Sequence, residues 1–103
     1  MSISGIHKGD IEVADRLEVS GTVLGAVVVI NGGILELGGT IKGKCVVEPC
    51  GEARIRGTVI GTLENYGGQV DVWGVVENLV DVGEGTRSIK HEHSIVKSYT
   101  RVN

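Results

Sequence analysis

The chain has 103 residues and a formal net charge of -3, which leaves room for one domain of the usual roughly 100 to 150 residues. Seventeen glycines, one proline, no phenylalanine and only Trp73, Tyr66 and Tyr99 as aromatics exclude a core built on large rings, since glycine averages about 7% of ordinary chains. Basic residues stand singly, so there is no stripe for a nucleic-acid backbone, and no apolar run approaches the ~18 residues of a membrane span.

The opening MSISGIHKGD lacks the basic and apolar runs of a secretion signal, and the expected location is the cytoplasm. From there the chain repeats itself. GIHKG begins at Gly5, GTVLG at Gly21, GTIKG at Gly39, GTVIG at Gly57 and GVVEN at Gly74, at intervals of 16, 18, 18 and 17. Self-similarity at a fixed period marks a stacked repeat, and it predicts five coils over residues 1–85, starting near 5, 21, 39, 57 and 74.

A shorter period lies inside the longer one. Leu17, Val23, Val29, Leu35, Ile41, Val47, Ala53 and Val59 follow at steps of six. Three such steps make one coil with three sides, each contributing an inward apolar residue, with the next coil stacked at ~4.8 Å. The fold class expected is all-β, a single-stranded three-sided parallel β-helix. Val27/Val29, Leu35/Leu37, Ala53/Ile55, Val70/Val72 and Val80/Val82 are pairs two apart that share one side of a strand, and Cys45/Val47 and Leu63/Asn65 take the slot of Val27/Val29. The glycines then fall at corners, where left-handed backbone angles and close approach favour them. A β-sandwich would not hold a six-residue step over eight positions. Hexapeptide helices of the left hand usually place glycine directly after the inward residue. Here Glu18, Leu24, Ile30, Glu36, Lys42, Glu48, Arg54 and Ile60 stand there, a pattern that favours the right hand. Beyond Gly85 the repeat stops, and residues 86–103, TRSIKHEHSIVKSYTRVN, are expected to form a C-terminal capping segment over the last coil.

The alternation of G-[TV]-[VI]-x-G corners with G-x-h-x-h strands, as in GTIKGKCVVEPCGEARIRGTVIG, resembles the repeat of bactofilins, the polymer-forming bacterial cytoskeletal proteins, over about residues 5 to 82. The resemblance implies a right-handed three-sided β-helix, no nucleotide or metal, a cytoplasmic location, and filaments made by stacking one end on another. Bactofilins resemble bare solenoids with flexible tails, whereas this chain carries the 86–103 segment. A capped end would not stack, which leaves the end near Ile6 and Ile11 for a closed pair.

No nucleophile elbow, paired C-x-x-C or phosphate-cradling loop occurs, so no enzyme and no cofactor are expected. Cys45 and Cys50 lack partners at zinc spacing. His91 and His93 project to one side of an extended segment and are the sharpest candidate metal pair, without a third ligand nearby. The outer surface offers more. Val28 and Val46, with Leu24 and Ile60 at matched corners, predict an apolar ridge suited to a contact. Glu18, Glu36, Arg54 and Asp71 occupy one outward position on successive coils, an acidic ladder that would suit a basic partner. Trp73 should point outward beside Arg56, as a cation-π pair, an interface anchor or the seat of the C-terminal segment, with Tyr66 on the same coil. Two functions fit these features. One is a structural scaffold that associates with itself, as a homodimer or an end-to-end oligomer. The other is a small cytosolic immunity or inhibitor protein that covers a toxin.

Overall fold

The computed structural model describes residues 2–83, 88–91 and 94–102. The strands are β1 (Ser2–Ile3), β2 (Ile6–Lys8), β3 (Ile11–Val13), β4 (Arg16–Val19), β5 (Thr22–Leu24), β6 (Val27–Val29), β7 (Ile34–Leu37), β8 (Thr40–Val47), β9 (Glu52–Ile55), β10 (Thr58–Asn65), β11 (Gln69–Val72), β12 (Val75–Val82), β13 (Ser88–Lys90) and β14 (Ile95–Val102). Every strand pairing among the described residues is parallel, and partners lie about 18 residues apart in sequence. The result is an all-β solenoid of about five turns, as the repeat predicts.

Each turn contains three strand segments. One face is the ladder β1-β4-β7-β9-β11-β13. The other two are the halves of the long strands, since β5 pairs with Thr40–Lys42 of β8 and β6 with Cys45–Val47 of the same strand. The bend between those halves falls at Gly43, whose φ of 143° is one that side chains rarely adopt.

The interior is filled by the six-step series. All eight of its members are 0–3% exposed, and because they are all aliphatic they stack in columns without large rings. At roughly 25 cal/mol per Å² of apolar surface, this continuous column is the main favourable contribution to folding.

A different glycine constraint operates at the corner that opens each GTV-type motif. A Cβ on Gly39 would lie 1.9 Å from the Gly21 carbonyl oxygen, and one on Gly57 the same distance from that of Gly39. Neither backbone is left-handed. Close approach of successive turns, rather than an unusual φ, demands glycine here.

The fifth turn departs from the pattern. Thr58 pairs with Val75 but Thr62 pairs with Asn78, so this turn is one residue shorter at the corner where β10 bends. A one-residue slip exchanges the faces of a strand. Val80 and Val82 therefore share the outer side, unlike the other valine and leucine pairs, while Leu79 and Asp81 face inward, both at 0% exposure.

β13 and β14 cover the interior of the β12 turn, but by lengthening the stack. β13 pairs with β11 and β14 with β12, both parallel. The repeat pattern does not mark this extension, because its glycines are gone and the spacing between β12 and β14 widens to 20 residues, as in Val75 opposite Ile95. The free side of β14 is then the edge of the stack, and all its side chains except Val96 are exposed.

Candidate functional site

The ladder of charges on the first face is in the expected register, Glu18 beside Glu36, Arg54 and Asp71 in turn. It is not a free acidic surface. Arg16 Nη2 lies 3.0 Å from Glu18 and 2.7 Å from Glu36, and Arg54 bridges Glu36 at 3.1 Å and Glu52 at 3.1 Å. The Arg16 hydrogen bond, with Arg54 on the other side, holds the Glu36 carboxyl below the usual carboxylate range, and Glu36 in return raises the Arg16 guanidinium. Exposed pairs of this kind contribute little stability each. Their effect on recognition is larger, since the charge expected to attract a basic partner is already matched within the chain.

At the next corner three side chains from successive turns form a stack. The Arg56 guanidinium carbon lies 5.2 Å from the Trp73 ring centroid, and the His91 ring is stacked on Trp73 at 4.2 Å with the planes 8° apart. His91 Nε2 is 3.1 Å from Asp71 Oδ1. Trp73 is thus half-buried, in a cation-π pair and against the C-terminal segment at once. His91 is turned toward Asp71, and His93 lies outside the described residues.

Tyr66 is apart from this stack. Its hydroxyl donates to Glu64 at 3.3 Å, and Glu64 also pairs with Lys44 at 2.6 Å, which raises the Lys44 ammonium above its ordinary range. With Val46 and Pro49 these residues line an open groove.

The expected apolar ridge is broken. Val28 and Val46 are neighbours, but their column runs from Glu12 through both valines to Glu64. Leu24 and Ile60 are separated by Lys42 in the intervening turn. Reading matched corners from sequence placed the two residues correctly and overlooked what stands between them.

A buried polar group was missed. Asn65 and Asp81 are fully buried and Ser88 nearly so. The Ser88 hydroxyl donates to Asp81 Oδ1 at 2.6 Å, its backbone N–H to Oδ2 at 3.3 Å, and Asn65 Nδ2 donates to the Ser88 hydroxyl at 3.3 Å. Tyr99 donates its hydroxyl to Asp81 Oδ2, and that hydrogen bond to a carboxylate raises the phenol above its usual range. Two of these four residues, Ser88 and Tyr99, come from the last two strands. The group therefore clasps the final turn to the one before it. Asn65 in an inward slot was its one signal in the sequence; Asp81 was hidden by the slip.

Neither thiol forms a reactive centre with these groups. Burial pushes Cys45 up to about 12, and a protonated buried thiol is inert. Cys50 is exposed, with no disulfide.

Among the described residues, the ends of the stack carry the most exposed large apolar side chains. Ile6 on β2 is 69% exposed and Ile95 on β14 is 54% exposed, followed by Val102 on the same terminal strand. Comparison of the chain with known protein families, curated proteins and solved structures gives no match.

Proposed function

We propose that this protein is a non-enzymatic structural module that associates with copies of itself through the ends of its solenoid, in the manner the bactofilin-like repeat suggests. The observation that carries the reading is the state of β14. It is an eight-residue strand in register with the stack, no described strand pairs with its outer edge, and nearly all its side chains are exposed. Such an edge is a template for another strand. The edge formed by β1, β2 and β3 is its counterpart, with Ile6 outermost and Ile3 and Ile11 only partly covered. The inhibitor reading leaned on the acidic ladder, whose carboxylates are engaged by Arg16 and Arg54.

The test is sedimentation velocity of the purified chain from the micromolar to the millimolar range. Species that grow with concentration are expected. A single monomeric boundary throughout would overturn the reading.

A further inference from the structure

We propose that association is head-to-tail, the β14 edge of one copy seating on the β1–β3 edge of the next, so that a polar, open-ended stack results. The inference rests on self-association through the ends and adds its direction.

Three observations point the same way. The first is the column that runs along the outside of the second face: Ile6, Thr22, Thr40, Thr58, Val75 and Ile95, each opposite the next. Its two ends are the two most exposed large apolar side chains of the described residues. Adding another copy in the same direction places Ile95 on Ile6 and buries both, as if the column had not been interrupted. Head-to-head contact would reverse the strands and bring no such match.

The second is the interior. The column Ile11, Val27, Cys45, Leu63, Leu79 and Tyr99 ends in a ring that is 43% exposed. Continuation of the parallel ladder sets that ring over Ile11 of the next copy, which is itself only partly covered. The same lateral spacing of ~4.8 Å serves within and between copies.

Charge is the third. The terminal strand β14 carries Lys97 and Arg101 and no acidic side chain. At the opposite end Asp10, Glu12 and Asp15 stand against Lys8, Glu18 being already matched by Arg16. Head-to-tail contact joins a basic end to an acidic end. Head-to-head or tail-to-tail contact joins like to like, which is repulsive. Lys97 faces Lys8 in the head-to-tail register, the one like pair that the neighbouring Asp10 and Glu12 must offset. Heterologous contacts of this type do not close by themselves and give open assemblies.

Two single variants test the direction. Ile6→Lys spoils one end and Ile95→Lys the other, and both side chains point outward, so the core is untouched; circular dichroism checks the fold. In a head-to-tail stack every contact needs one intact end of each kind. Each variant alone should then require roughly tenfold or more concentration to associate. An equimolar mixture should form a one-to-one dimer and stop, because one Ile95 end and one Ile6 end remain intact. Homodimers of each variant alone would overturn the direction while leaving end-to-end association standing. Association of both variants as tight as that of the unaltered chain would remove the ends altogether, and a monomeric unaltered chain would overturn self-association itself.

Discussion

Gly38 and Gly39 are neighbours in sequence and should respond to the same substitution with opposite signs. A Cβ on Gly39 would sit 1.9 Å from the Gly21 carbonyl oxygen and 2.8 Å from the Ser20 carbonyl carbon. To reach even 3.0 Å the two turns must part by about 1 Å at this corner. The same oxygen accepts the Thr40 N–H at 2.9 Å, a bond that a shift of this size breaks. A lost hydrogen bond together with a poorly solvated backbone group costs about 2–4 kcal/mol, a large part of the 5–15 kcal/mol typical of a domain. On Gly38 a Cβ meets only the Val19 carbonyl oxygen, at 3.6 Å, an ordinary contact, and the backbone is not left-handed. Gly38→Ala should stabilise by about 0.4–1 kcal/mol through the unfolded state. Urea unfolding followed by Trp73 fluorescence and by circular dichroism measures both. Equal shifts for the two variants would refute the close-approach argument and return the corner glycines to a general preference for flexible residues.

Four further outcomes are expected. A thiol reagent should label Cys50 in the folded protein and Cys45 only on unfolding, and equal rates for both would contradict the burial of Cys45. Because the Cys45 thiol is raised from 9.0 to about 12 in the folded chain, its contribution to stability is complete below pH 9 and is lost as pH rises toward 12. At pH 10 the loss is on the order of 1 kcal/mol, and Cys45→Val should flatten that slope in alkaline urea titrations. Cys50 is the one non-glycine among the described residues with positive φ, at 67°, where the equivalent corners hold Gly32 and Gly67; Cys50→Gly should stabilise by about 0.5–1 kcal/mol, and a loss in the same titration would contradict the strain. His91→Ala uncovers one face of Trp73 and should shift its emission to longer wavelength, whereas an unchanged spectrum would mean the stack does not persist in solution.

The turns from Leu17 to Val59 were legible because the inward slots there are filled by apolar residues at a constant step, so periodicity and burial are the same signal. Legibility fell where those signals separated. The loss of one residue before Asn78 left a run of valines in place, and Val80 and Val82 look like core on any hydrophobic scale. Only pairing reveals that they face out. The charge ladder was legible in register but not in sign, because Arg16 lies two residues before Glu18 and reaches Glu36 in the next turn. Sequence spacing gives columns; it does not give where a long flexible guanidinium settles. The last turn was illegible for a third reason, since β13 and β14 are held by polar pairing and carry few repeat residues.

That last point decides what removal of residues 86–103 would report. As a simple cap, the segment would leave behind an intact apolar solenoid with an adhesive end. Asp81 is instead fully buried, and Ser88 and Tyr99, which hydrogen-bond its carboxylate, both lie in the removed segment. Deletion strips those hydrogen bonds from the carboxylate and bares Leu79 beside it, a loss of the order of 3 kcal/mol or more before any assembly is considered. A truncated chain would thus lose stability and precipitate for reasons unrelated to its ends. Ser88→Ala with Tyr99→Phe in the intact chain separates the two effects. It leaves every strand in place and removes the two hydroxyl hydrogen bonds to the buried carboxylate, so it should cost about 2–4 kcal/mol in urea unfolding. If this double variant is as stable as the unaltered chain, the clasp around Asp81 is not what holds the final turn.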